Sequence, residues 1–318
     1  MRKQYRDFIV DTTIILLSII HFISTFKCSL YAIDQASLEA KLTKINSSSS
    51  YNPILNLGDL VFSGSATSTK LTNKTYLSTY RTFDRLGVPH FFLLIIDIDL
   101  KSVKLNLTLS DKDGSGSFWQ IATVNTNEII GIRESVHPES TLEVAKINQT
   151  DGHMTTIGTY LYGSYSLVMV YASKRRLYFN VIESTLYAVN VDTGKLDINI
   201  QIPNDYIIYA IDYDYINDRL IGLVYSSSIT NSWILTEIII TTKNELKFDR
   251  IGKTIIPFDK YRWKTTYTIN LSQRSWITIW NMKDLNKSVF IVLNIDSGEV
   301  TEKWETNLNR LTNLVFFD

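Results

Sequence analysis

The sequence predicts an all-β fold: a β-propeller of about six four-stranded blades (range five to seven), closed by pairing of N- and C-terminal strands. Three observations predict it. A hairpin signature returns about every fifty residues, each period holds four apolar or alternating segments, and helical periodicity of any length is absent beyond the first thirty residues.

The signature is clearest in "LYAVNVDTGKL" (Leu186 to Leu196) and "FIVLNIDSGEV" (Phe290 to Val300). In each, an apolar strand runs into a turn whose glycine supplies positive φ and whose Asp and Thr or Ser can bond nearby backbone. Weaker copies begin at Leu93, Leu142 and Ile234. Taking Asp99, Asn148, Asp192, Lys243 and Asp296 as equivalent turn points gives spacings of 49, 44, 51 and 53 residues. Periods of this size with several strands each are those of propeller blades or a comparable array.

The remaining strands follow in order. "SLVMVYA" from Ser166 is almost continuously apolar, as an inner strand covered on both faces should be, and "SKRR" makes the turn into "LYFNV" before the hairpin above supplies two more strands. "YIIYAIDY", "LIGLVY", "WILTEIII" and "LKFDRI" form the next unit, and "KTTYTIN", "SWITIWN", "VFIVLN" and "EVTEKW" the one after. "LTNLVFFD" reads as a further inner strand without successors, so ring closure requires it to pair with the N-terminal region, expected around "DLVFSGS" or "TYLSTYRTF".

The Leu186 to Lys195 hairpin resembles the "LYALDxxTGK" hairpin of secreted β-propellers of the pyrroloquinoline-quinone-like and YVTN-type repeat families. Leu293 to Val300 matches in part, and the other repeats match in hydrophobic pattern alone. The resemblance covers residues 60 to 318 at the level of fold and rests on a turn signature. It therefore implies architecture and no activity.

Ahead of the repeats, Arg2, Lys3 and Arg6 precede an uncharged, mostly apolar run from Thr12 to Phe26. This is a secretory leader pattern, shorter than the ~20 residues of a membrane-spanning helix. The expected organisation is a signal peptide (or signal anchor) at 1–32, with a cut after Cys28 or Ala32, a polar and poorly ordered segment at 33–54, and the propeller at 55–318. Without residues 1–32 the charged residues number 28 basic and 30 acidic, for a net −2. That balance offers no field for nucleic acid or anionic membrane. Cys28 is the only cysteine, which excludes a disulfide scaffold and cysteine-based zinc sites.

Six N-x-[ST] sequons occur, at Asn46, Asn73, Asn106, Asn148, Asn270 and Asn286. The last five are the glycosylation candidates, expected in turns, in loops or, for Asn106, on an outermost strand, since a glycan needs an exposed acceptor.

"DKDGSGSFWQIA" places Asp111, Asp113 and Ser115 at positions 1, 3 and 5 of a calcium loop, with Gly116 and Phe118 also in place. Ala122 stands where a bidentate Glu belongs, and Trp119 where the calcium-binding blades of integrin α chains carry an Asp. A polar turn between two blades competes with a weak calcium site, the one cofactor expected. Asp212, Asp214 and Asp218 form the densest acidic cluster; Asp212 and Asp214 share a strand face, while Asn217 and Arg219 stand close enough to pair with them. Asp97 and Asp99 have the same i, i+2 relation.

His90, His137 and His153 are expected in loops or turns, and no nucleophile, metal-hydrolase or phosphate-loop motif is present. Trp263, Trp276 and Trp280, or Tyr206, Tyr209 and Tyr213, could form a binding platform or pack between blades. Lys174, Arg175 and Arg176 read as a solvated turn. Together these features point to a secreted or cell-surface binding module for an extracellular protein or glycan, with no nucleic acid, and membrane contact only through an uncleaved leader. The alternative is a glycosidase- or lactonase-like propeller hydrolase with carboxylates at the central channel.

Overall fold

The computed structural model describes residues 29–34, 40–45, 51–58, 60, 68–72, 74–86, 88–109, 118–125, 128–134, 141–161, 168–227, 232–257, 262–282, 287–307 and 311–317. Among these the regular elements are all strands. They form six antiparallel blades of a β-propeller.

The chain begins in β1 (Ser29–Asp34), β2 (Ala40–Ile45) and β3 (Tyr51–Gly58). Five blades then follow in chain order. The first comprises β4 (Ser68–Thr72), β5 (Thr75–Phe83), β6 (Pro89–Asp97) and β7 (Ser102–Thr108); the second β8 (Phe118–Asn125), β9 (Glu128–Glu134), β10 (Thr141–Ile147) and β11 (Met154–Leu161). Next come β12 (Val168–Ala172), β13 (Leu177–Ile182), β14 (Thr185–Asn190) and β15 (Leu196–Gln201), then β16 (Tyr206–Asp214), β17 (Arg219–Ser226), β18 (Ser232–Ile240) and β19 (Leu246–Arg250). A short β20 (Ile256–Pro257) pairs with β18 beside this path. The last of the five holds β21 (Arg262–Asn270), β22 (Ser275–Met282), β23 (Lys287–Asn294) and β24 (Val300–Thr306).

Position in a blade explains composition. The third strands β10 and β23 are buried along nearly their whole length, because neighbouring blades cover both faces. The outer strands β7, β15 and β24 are largely exposed, with partial burial at alternate positions. The core is accordingly a set of six apolar layers, each drawing on two adjacent blades.

Ring closure is made by β25 (Leu311–Phe317), the innermost strand of the sheet β25-β1-β2-β3. Its partner is β1, with Leu30 opposite Phe316 and Asp34 opposite Leu311. Closure by both chain ends thus holds, but "TYLSTYRTF" is β5, paired with β4 and β6, and most of "DLVFSGS" lies outside the described residues. The boundary at residue 55 is corrected too: β1, β2 and half of β3 precede it. These strands form because Leu30, Ala32, Ile33 and Leu42, each at most 1% exposed, pack into the layers against the β21–β24 and β4–β7 blades.

Candidate functional site

The turns from inner to second strand and from third to outer strand share one edge of each blade. There Asn190 Oδ1 accepts the backbone amides of Asp192 and Thr193 at 3.0 and 3.1 Å, and Asn294 Oδ1 accepts those of Asp296 and Ser297, both at 2.9 Å. Gly194 and Gly298 both sit at φ 69°. Each also lies against the outer strand of the preceding blade or its exit, so a Cβ would meet Ile157 O at 1.5 Å or Ile251 O at 2.0 Å. The turn glycine answers both backbone conformation and blade spacing.

On this edge the acidic cluster is divided between blades. Asp214, whose side chain is fully buried, accepts from Asn217 Nδ2 at 3.0 Å, from Arg219 Nη2 at 3.0 Å, and from both Nη atoms of Arg274 on the next blade. Burial alone would raise its pKa, but the hydrogen bonds from Arg274, Asn217 and Arg219 outweigh it and hold the carboxyl well below 3.8. Arg219 and Arg274 also grip Asp296, at 2.8 and 2.7 Å. Asp218 turns the other way, to the Tyr213 hydroxyl at 2.6 Å and to Arg175 of the preceding blade at 2.7 Å, which lower its pKa in that order. Arg176 pairs with Asp192 within its own blade. "SKRR" is therefore an ion-paired seam as well as a turn. The missed signal was the repeat itself, because Arg176 and Arg274 occupy equivalent turns and each faces the Asp of its own Asp-x-Gly hairpin.

Asp212 is separate from this seam. It lies on the inner strand β16, is half-buried, and binds the backbone amide of Tyr213 at 2.8 Å. Among the described residues no cation pairs with it. Desolvation pushes its pKa up to about 7, only partly offset by the Tyr213 and Ile269 backbone amides. Tyr267 on β21 lies close enough for the Asp212 charge to act on its hydroxyl, which burial foremost, then that charge, pushes to a higher pKa. Among the described residues no side chain bonds its buried hydroxyl, while its ring stacks on Trp276 with centroids 5.3 Å apart. The Tyr267 hydroxyl also feels the backbone amides of Ile211 on β16 and Met169 on β12. A side chain rooted on β21 that reaches β12 crosses the axial side of β16. Across the axis, Gln120 on β8 donates to Met169 O at 2.8 Å and accepts from Tyr178.

The other candidates disperse. Asp111, Asp113 and Ser115 lie outside the described residues, as do His137, Asn46, Asn73 and Asn286. Asn106 and Asn148 are exposed, on β7 and in the β10–β11 turn. Asn270 is corrected: it ends the inner strand β21 at 2% exposure, its Nδ2 donating to Gln273 at 3.1 Å and its Oδ1 accepting from Ser272 and Gln273. An acceptor nitrogen held this way has no room for a glycan in the folded chain. His90 is in β6 rather than a loop, 3.5 Å from Asp84, and His153 is in the exposed β10–β11 turn. Asp97 caps its turn through Leu100 N, and Asp99 pairs with Lys74.

Trp276 and Trp280 are buried between blades, Tyr206 stacks on Phe248, and Tyr209 packs on Trp233 and Trp280, so these rings are core rather than platform. Nothing is described of the Trp263 side chain. Among the described residues no three of Asp, Glu, His and Cys come together to hold a metal, and no helix is long and apolar enough to cross a membrane.

No family model and no curated protein matches the sequence. Solved structures do share the fold. TolB from Acinetobacter baumannii superposes with a TM-score of 0.59 at 7% identity, over 92% of this chain and 67% of that one. A protein of unknown function from Bacteroides caccae gives 0.54 at 8% identity over 91% and 98%, and a candidate 6-phosphogluconolactonase from Bacteroides fragilis gives 0.50 at 10% over 93% and 99%. The six-bladed propeller is thereby supported. The narrower likeness to pyrroloquinoline-quinone-like or YVTN-type repeats has no family match behind it.

Proposed function

We propose that the protein is a binding module: a rigid six-bladed ring, secreted or held at the cell surface, that recognises an extracellular protein or glycan. The observation that carries this reading is the character of the inner strands. β4, β8, β12, β21 and β25 carry no Asp or Glu, their charged residues being the basic Lys70, Arg262 and Lys264, and the two acids of β16 are not a pair. Asp214 is neutralised by two guanidinium groups, which leaves Asp212 as the one carboxyl without an ion pair among the described residues of the inner strands. Hydrolysis of a glycoside typically uses two carboxyl groups with separate roles, whereas inner strands that offer one unpaired carboxyl suit recognition. The propeller neighbours carry the fold and not the activity, because identity is 10% or less.

Secretion follows from the Arg2 to Phe26 leader pattern. Glycosylation at Asn73, Asn106, Asn148 and Asn286, and weak calcium binding at Asp111, Asp113 and Ser115, belong to the same proposal. The test is capture of surface or secreted partners by the purified propeller, run beside an assay for glycoside and lactone hydrolysis. Saturable capture without turnover supports the module. Turnover that disappears in Asp212→Asn would replace it with the hydrolase reading. For calcium, heat at millimolar concentration that Asp111→Ala abolishes is expected; equal heat in the variant excludes the loop.

A further inference from the structure

The chain enters the ring at one particular edge. β1 is the second strand of the closing blade, and its first residue, Ser29, lies opposite Phe317 at the end of the inner strand β25. In the other blades the same edge carries the turns from inner to second strand and from third to outer strand, among them the turns of the Arg–Asp seam. Two residues, Lys27 and Cys28, separate Ser29 from the apolar run that ends at Phe26.

We propose that the leader is retained as a membrane anchor, so that the turn edge of the propeller faces the bilayer and the opposite edge is the one open to partners. The proposal rests on the reading of the propeller as a binding module and names the face on which it binds.

Retention follows from the leader and β1 together. Signal cleavage favours small residues at −1 and −3, and no cut from Ser18 to Ala32 finds both: Cys28 has Phe26 at −3, and Ala32 has Leu30. A cut after Ala32 would also remove Leu30 and Ala32, which are buried in the closing blade. Counted back to Phe8 the run is 19 residues long, with Asp11 and His21 as its ionisable groups. At the helical rise of 1.5 Å per residue that length covers about 29 Å, close to the ~30 Å hydrocarbon core of a bilayer. Arg2, Lys3 and Arg6 precede it, which places the N-terminus on the cytoplasmic side and the propeller outside.

The short connection then sets the orientation. Three residue steps from Phe26 to Ser29 reach at most about 11 Å, and the headgroup layer on each side is itself roughly 5–7 Å thick. The edge at Ser29 is therefore held at the headgroups. The opposite edge stands roughly 30 Å further out, the length of the nine-residue β5 at ~3.3 Å per residue. In the β4–β7 blade, which packs beside the closing blade, exposed Leu100 of the β6–β7 turn lies on the near edge and exposed Leu86 of the β5–β6 loop on the far one. On the other flank, exposed Glu299 of the β23–β24 turn also lies on the near edge. Asn148 shares that edge two blades round from the attached one, where a ring held at one blade leaves space for a glycan.

The test uses the full-length chain with Cys28→Ser and one of Leu100→Cys, Glu299→Cys or Leu86→Cys, labelled with a bimane fluorophore. It is reconstituted into phosphatidylcholine vesicles that carry a nitroxide on a fraction of their headgroups. Fluorophores at 100 and 299 should lose about half their emission and the one at 86 none, and wild-type protein from a secretory host should be recovered in membranes with residues 2–28 still attached. A mature chain that lacks the leader, or quenching at 86 equal to or greater than that at 100 and 299, would overturn the proposal. Capture of a partner alongside either of those results would leave the module reading standing. The expected quenching with no capture of any partner would support the orientation and remove the module reading instead.

Discussion

Arg274 and Asp214 stand on different blades, yet the two guanidinium Nη atoms face the two carboxylate oxygens at 3.0 and 2.8 Å, in the parallel two-point geometry that only arginine offers a carboxylate. The pair ties the β16–β19 blade to the β21–β24 blade, and Asp296 extends it as a second acceptor for the same guanidinium.

Removing Arg274 leaves a fully buried carboxylate with Arg219 as its remaining cation. Arg274→Met should cost about 2 kcal/mol at pH 7, below the roughly 3–5 typical when a buried charge loses its sole partner. The pH dependence has a definite sign. Asp214 and Asp296 are held below their ordinary value of 3.8, so their contribution is complete above it and is lost as pH falls through the depressed folded values. Urea denaturation at pH 7 and pH 3 should show the difference between wild type and variant shrinking at the lower pH. An equal difference at both would count against the ion pair as its cause.

Asp212 predicts the opposite slope. Its folded pKa is raised from 3.8 to about 7, so the native state binds the extra proton and stability declines as pH rises between those values. Asp212→Asn should therefore stabilise the protein at pH 8, on the order of 2 kcal/mol after allowance for water in the channel, and should change little near pH 3. A variant less stable than wild type at pH 8 would show that Asp212 is structurally required.

The turn glycines carry the third prediction. Alanine at 194 would adopt an unfavourable positive φ and force its Cβ against Ile157 O on the preceding blade. Gly194→Ala and Gly298→Ala should each cost about 3 kcal/mol, a fall in Tm of roughly 6 °C. Gly58→Ala tests the contribution of blade contact, since its φ is also positive but no atom lies within 4 Å of the added Cβ. Its cost should be smaller, about 1 kcal/mol.

Deleting residues 311–318 removes the inner strand of the closing blade, including Leu311, Leu314 and Val315, all buried. The truncated protein should melt many degrees lower and bind a hydrophobic dye. A chain starting at Ile33 should fail similarly, because it lacks most of β1, whereas one starting at Ser29 should not. Processing after Cys28 thus preserves the ring, and a cut after Ala32 does not. A chain starting at Ile33 that melted like full-length protein would refute the pairing.

The repeat was legible because its hairpins are local. Strand runs and turn residues recur in each period, and an Asp-x-Gly in two of them, at Asp192 and Asp296, so five hairpins and all four strands of three blades could be laid out from sequence. The sixth could not, since its strands lie some 280 residues apart and "NSSSS" replaces the glycine turn between β2 and β3. The same divide governs the site. Asp214 with Asn217 and Arg219 is a six-residue neighbourhood and was readable. Arg274 lies 60 residues away, and the influence of Asp212 on Tyr267 follows from the packing of β16 near β21, which hydrophobic pattern does not specify.

The pairing of β1 with β25 also sets an order of events during synthesis. The apolar β1 of the closing blade leaves the ribosome about 280 residues before β25, the strand that covers it, an interval of roughly 14–56 s at ordinary elongation rates of about 5–20 residues per second. Through that interval Leu30 and Ala32 have no inner neighbour, and a ribosome that stalls anywhere before Leu311 releases a chain with an open seam. Such a product displays an unpaired strand edge, the kind of surface that makes partly folded chains prone to aggregate.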